Sequence, residues 1–182
     1  MSRSMVRMIT TLGLGIGLVL VGGTGTARAE LKVGDKAPPF KLQGSDGKTY
    51  SLEDFKGKSA VVIAWFPKAF TGGCTRECKS LRAHSKALHE LDVAYFTASV
   101  DTPEENKKFA ESLDLDYPIL SDPDKSVAKA YGVLNPARGF ASRWTFYIDK
   151  EGTIKEIDKA VKPDSAGTDV AAKVKELGLC SK

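Results

Sequence analysis

Three side chains in this 182-residue chain are suited to covalent sulfur chemistry: Cys74, Cys78 and Cys180. Cys74 has the most reactive setting. The apolar run Ala60–Trp65 predicts a short buried strand, which Pro67 and the pair Gly72-Gly73 interrupt. An uninterrupted helical pattern follows from Thr75 to Leu91. Cys74 is therefore expected where a strand has ended, a glycine turn follows and a helix begins. A thiol there meets unpaired backbone N–H groups and the positive end of the helix dipole. Both favour the thiolate, the form that attacks electrophiles. Cys78, Leu81, Ser85 and Leu88 fall on the same helical face as Cys74. Cys180 stands two residues from the C-terminus.

The elements that must position these thiols follow from periodicity and turn chemistry. Phe40–Gln43 and Thr49-Tyr50 read as short strands joined by an Asp46-Gly47 turn. Ser51 caps one helical turn to Phe55. Val93–Val100 is a strand. After it comes a helix with Thr102 as its cap, Pro103 at its first position and Glu105 at its third. That helix turns Phe109 and Leu113 inward. A helix from Ser126 to Tyr131 is closed by Gly132, and a loop runs from Leu134 to Ser142. Arg143–Asp149 is a strand whose hairpin partner is Thr153–Ile157, and a last helix runs from Thr168 to Leu177. Strands separated by helices, then a terminal hairpin and helix, give an α/β three-layer domain with a mixed central β-sheet flanked by helices. His84 and His89 read as ordinary helix residues, and Trp65 and Trp144 as core or pocket wall.

Residues 1–29 have the layout of a secretory signal peptide. Arg3 and Arg7 come first, a Leu-, Ile-, Val- and Gly-rich segment follows, and Ala27-Arg28-Ala29 is a small-x-small cleavage site. The domain then spans 30–182, long enough for one proper core. The leader carries three arginines and no acid, so most of the net charge of +4 belongs to it. The remaining basic residues are dispersed, which argues against nucleic-acid binding and, after leader removal, against membrane attachment. The expected location is periplasmic or otherwise extracytoplasmic. Three cysteines, an odd number, do not make a disulfide framework, and reactive use is the better reading. No metal or nucleotide site is evident, and no cofactor is expected.

The run Pro67-x-x-x-Thr71-x-x-Cys74 resembles the active-site motif of the peroxiredoxins. Gly34-Asp-x-Ala-Pro-x-Phe40, Asp46-Gly47, Ser51-Leu52, Lys56-Gly-Lys58, Ser99-Val-Asp101, Gly132-Val133 and Arg143-x-Thr-Phe-x-Ile-Asp149 match in the same order. The resemblance covers 31–178 and is most marked to the peroxiredoxin Q subgroup, also called bacterioferritin comigratory protein. It implies a thioredoxin fold and a cofactor-free peroxidase, monomeric or weakly dimeric, that takes hydroperoxides and is re-reduced by a thioredoxin-like protein. Carried onto this sequence, it makes Cys74 the peroxidatic cysteine. Thr71 would hydrogen-bond the thiolate and the peroxide, Pro67 would shield the sulfur, and Arg143 would stabilise the negative charge.

One departure stands out. In that subgroup the resolving cysteine lies five residues after the peroxidatic one, whereas Cys78 lies four after Cys74. Helical neighbours at that spacing have Cβ atoms about 5–6 Å apart, and a disulfide needs roughly 3.5–4.5 Å. Closure would require the first turn to unwind. Cys78 is the favoured resolving cysteine, Cys180 is the alternative, and an external thiol is the third option. Two other functions share the expected fold. A thioredoxin-like disulfide oxidoreductase would want Cys-x-x-Cys. A copper-binding module of the Sco type does use Cys-x-x-x-Cys, but it also supplies a late histidine, and no histidine follows His89 here.

Overall fold

The computed structural model describes residues 30–180, and the expected leader lies outside the described residues. In chain order the strands are β1 (Lys41–Gly44), β2 (Thr49–Ser51), β3 (Val61–Trp65), β4 (Ala94–Ser99), β5 (Ile119–Ser121), β6 (Leu134–Asn135), β7 (Phe140–Ala141), β8 (Trp144–Ile148) and β9 (Ile154–Asp158). The helices are α1 (Gly72–Ala83), α2 (Ser85–Glu90), α3 (Pro103–Ser112), α4 (Ser126–Ala130) and α5 (Ala166–Glu176), with a 3-10 turn over Leu52–Asp54. Seven strands make one sheet in the order β2-β1-β5-β4-β3-β8-β9. β3, β4 and β5 run parallel at its centre, and the flanking pairs are antiparallel.

The centre of the sheet explains the continuous apolar run. β3 is covered on both faces, so every one of its residues is buried. Val61, Ile63 and Trp65 point into one core with Phe96, Tyr131 and Phe146. Val62 and Ala64 point into the other with Leu81, Leu88, Tyr147, Val170 and Val174. That alternation is the pleat of a strand. α1, α2 and α5 cover the second face, and α4 covers the first. Beyond the end of β3 a third cluster forms from Phe66, Cys74, Cys78, Phe109 and Ile119. Among the described residues no helix is long and apolar enough to cross a membrane.

The expected capping at α3 is present, with Glu105 N–H donating to the Thr102 hydroxyl and Pro103 in the first turn. The long helix expected over Thr75–Leu91 is different in two ways. It begins at Gly72, because Thr71 takes the extended N-cap conformation and the two glycines form the first turn. It also breaks at His84, whose backbone leaves helical geometry. The His84 ring explains the position of the break. Its Nδ1 is 2.9 Å from the Ser80 carbonyl, and its Nε2 is 3.0 Å from the Thr168 hydroxyl on α5. Gly167 N–H also donates to Ser80 Oγ. A Cβ at Gly167 would stand 2.2 Å from the Ser80 carbonyl oxygen, so only glycine lets α5 approach α1 this closely. The loop expected over Leu134–Ser142 contains the small β6–β7 ribbon.

Candidate active site

Register brings the reactive groups together. Trp65 at the end of β3 pairs with Trp144 at the start of β8. Arg143 therefore lies just past the end of β3, although it is 69 residues from Cys74 in sequence. The segment that carries β3 into α1 is fastened to the neighbouring strand. Phe66 N–H donates to the Ala98 carbonyl at 2.9 Å, and Ala69 N–H donates to Asp101 Oδ2 at 2.8 Å. Asp101 is held in turn by its N–H on Ser99 Oγ at 3.2 Å. The chain then passes through Phe70 in the left-handed region, φ 60°, a strained conformation for a large side chain. Thr71 follows as N-cap and Cys74 stands in the first turn of α1, where helix geometry leaves N–H groups without helical partners.

Arg143 Nη2 donates to Cys74 Sγ at 3.3 Å. The contact is charge-assisted, a cation donating to sulfur. The other arm of the fork, Nη1, binds the Glu77 carboxylate. Glu77 is fully buried, and its second oxygen, Oε1, has no hydrogen-bond partner. One planar cation thus bridges a buried carboxylate and the sulfur, and the carboxylate fixes where the guanidinium lies. A Cβ at Gly73 would stand 3.1 Å from Arg143 Nη2, so the second glycine leaves room for this contact. Cys74 has no exposed surface in this state. Thr71 is exposed, and its hydroxyl donates to the Lys68 carbonyl at 2.9 Å. Its single hydrogen is therefore taken by the turn over 68–71 and is not directed at the sulfur, whereas the resemblance implies a bond to the thiolate. Pro67 is half-buried in the segment that leaves β3. Phe70 is 58% exposed, and its ring packs at 5.0 Å on Phe109, which belongs to the apolar cluster that holds Cys74.

Cys78 lies one turn further along α1, also without exposed surface. Burial pushes its thiol up to about 12, partly offset by the nearby Tyr117 hydroxyl. It stays a thiol while the helix is intact. The Tyr117 hydroxyl donates to the Cys78 carbonyl at 3.0 Å. Cys180 lies elsewhere. It lines a cavity with Lys58, Ala60, Asp149 and Lys150, which mark the start of β3 and the end of β8. Five residues of β3 span about 16 Å, so Cys180 and Cys74 sit beyond opposite ends of that strand. The structure brings Cys74, Cys78 and Arg143 together and leaves Cys180 apart.

Comparison with known proteins agrees with this arrangement. Residues 33–157 match the AhpC/TSA family. The chain belongs to the AhpC/TSA family. It is 37% identical over 127 residues to alkyl hydroperoxide reductase E of Mycobacterium tuberculosis, covering 69% of this chain and 83% of that protein. It is 34% identical over 138 residues to peroxiredoxin Bcp of Bacillus subtilis, covering 72% and 87%. The crystal structure of peroxidoxin BcpB from Mycobacterium tuberculosis superposes with a TM-score of 0.74 at 28% identity, over 81% of this chain and 98% of that one. The chain is thus a peroxiredoxin of the Bcp or peroxiredoxin Q type, a thiol peroxidase, and its sheet with flanking helices is the thioredoxin fold.

Family membership displaces the two rival functions. The group that meets Cys74 is a cation, unsuited to share a metal ion. Among the described residues no three His, Cys, Asp or Glu side chains converge as a metal site. Sequence reasoning missed several members of this peroxiredoxin site. Glu77 was within reach, since it lies three residues after Cys74 and so on the same helical face. Asp101 was seen only as part of a matching string. Phe70 gave no signal, because its role comes from a strained backbone.

Proposed function

We propose that Cys74 attacks a hydroperoxide, that Cys78 resolves the product and that a thioredoxin-like protein restores the dithiol, outside the cytoplasm. The observation that carries this is the Arg143–Cys74 contact at 3.3 Å with Glu77 holding the same guanidinium. In the first step the Cys74 thiolate forms an S–O bond and the O–O bond breaks. Two electrons pass from sulfur to peroxide, and the departing oxygen leaves as hydroxide or alkoxide and takes a proton. Arg143 is already placed for the charge that develops, and such prepositioned donors are a major catalytic term. Thr71 meets the peroxide once its hydroxyl turns from Lys68. The Phe70–Phe109 flank supports acceptance of organic hydroperoxides as well as hydrogen peroxide.

In the second step the Cys78 sulfur attacks the Cys74 sulfenic acid, an S–S bond forms and water leaves. Cys78 is the resolver this geometry favours, because it shares the helix and the apolar cluster with Cys74. Its burial fits a thiol that reacts only after the first turns of α1 unwind. A dithiol donor then returns two electrons and two protons. The extracytoplasmic location rests on the leader-like residues 1–29.

The test is mass spectrometry of the reduced protein after one equivalent of hydrogen peroxide, with peptide mapping. A loss of two hydrogens mapping to Cys74–Cys78 is expected. Cys74→Ser should abolish peroxide consumption, and Cys78→Ser should give one turnover and stall. Normal cycling of Cys78→Ser with the same donor would remove Cys78 from the resolving role. N-terminal sequencing of the exported protein should begin at Glu30.

A further inference from the structure

Closure between Cys74 and Cys78 requires that Cys78 leave a place where it is held from outside its own helix. The start of α1 is weakly held. Two glycines form its first turn, and Thr71 gives it no side-chain cap bond. Glycine is a poor helix former beside alanine. Residue 78 is different. Its carbonyl receives, besides the helical bond, the Tyr117 hydroxyl at 3.0 Å. Tyr117 belongs to the segment between α3 and β5, so this bond ties α1 to the sheet. The Tyr117 ring is buried and packs on Tyr95 of β4 at 5.1 Å between ring centres. Pro118 follows it and stiffens the entry to β5. The tie is thus anchored on the sheet, between β4 and the start of β5.

We propose that Tyr117 is a positioning residue for disulfide formation. Its hydroxyl holds the Cys78 peptide in the helical state and sets how fast Cys78 can reach the Cys74 sulfenic acid. This rests on Cys78 being the resolver. Residues 74–78 must leave the helix for the two sulfurs to meet, and the Tyr117 bond breaks as they do. While it persists, the sulfenic acid waits beside Arg143. A second peroxide arriving in that interval converts it to sulfinic acid, which the disulfide cycle does not recover. The tie therefore trades the integrity of the peroxide-ready site against the lifetime of its vulnerable product.

Tyr117→Phe removes the tie and keeps the ring. A neutral hydrogen bond contributes about 0.5–1.5 kcal/mol net, so closure should accelerate about fivefold. Rapid quench with mass spectrometry should show an unchanged first step, faster appearance of the Cys74–Cys78 disulfide and less sulfinic acid under excess peroxide. Tyr95→Phe is the control. It removes a buried hydroxyl from the same ring pair, but the Tyr95 hydroxyl has no partner, and closure should stay at the wild-type rate. Hydrogen exchange in the reduced Tyr117→Phe protein should quicken by the same factor in α1 and not in the sheet. If the Cys74–Cys78 link forms at the wild-type rate in Tyr117→Phe, the tie does not govern closure, although Cys78 keeps its role. If Tyr95→Phe accelerates closure equally, general loosening is the cause and the proposal falls. If the wild type forms no Cys74–Cys78 link at all, the resolver assignment itself is wrong.

Discussion

Arg143 does two jobs with one rigid group. Its fork reaches Glu77 with one arm and Cys74 with the other, and both partners are fully buried. A lysine has one compact ammonium on a flexible stem and cannot reproduce this planar bridge. Arg143→Lys should therefore slow Cys74 oxidation roughly 100-fold, the scale seen when a prepositioned donor is lost. Stopped-flow oxidation at a fixed pH checks this, and a near-wild-type rate would show that charge alone suffices. The reactive thiol was legible in the sequence because strand end, glycines and helix start are local signals. Arg143 was legible only through its resemblance to a family motif, since no local feature announces that β8 will pair with β3 in that register. Glu77 lies between the two cases. Its helical offset was visible, but its value came from a partner in a distant strand.

At the scale of elements, α1 is built with unequal halves. Its N-terminal turn has glycines at 72 and 73 and no side-chain cap, whereas its C-terminal half is pinned to α5 through Ser80, His84 and Gly167. The unwinding that the proposed disulfide requires would therefore be confined to the end that carries the thiols. The two glycines differ in consequence. A Cβ at Gly72 meets nothing closer than 3.7 Å, while one at Gly73 presses on Arg143. Gly72→Ala should thus leave the peroxide step intact and stabilise the first turn by up to about 1 kcal/mol. The expected outcome is disulfide closure slower by up to about fivefold, read by the same quench experiment. Faster closure in Gly72→Ala would mean that the first turn does not unwind. The sequence showed most elements, because strand alternation and the Thr102 cap are strong local patterns. It missed the break at His84, where no proline or glycine marks the site. The ring hydrogen-bonds made to Ser80 and Thr168 decide it, and these exist only once α5 has docked.

At the scale of the whole molecule, a buried carboxylate links stability to pH. Asp122 has no exposed surface and receives N–H bonds from Ala128 at 2.7 Å and Val127 at 3.4 Å, which hold the start of α4. Burial pushes its carboxyl from 3.8 up to about 6, against the pull of those two N–H groups. Between these values the folded protein keeps a proton that the unfolded chain has released. Its contribution to stability is therefore present below about pH 4 and is lost as pH rises to about 6. Denaturation midpoints from pH 4 to 7 should show this slope in the difference between wild type and Asp122→Asn. A flat difference would mean that the carboxylate is ionised throughout.

The placement of the sulfurs has a practical side. Cys74 and Cys78 are sealed at one end of β3, and Cys180 stands half-buried at the other. A maleimide used on the reduced, folded protein meets Cys180 first. Tethered to a bead or an electrode through that thiol, every molecule would face the same way, with its peroxide-consuming end turned toward the solution.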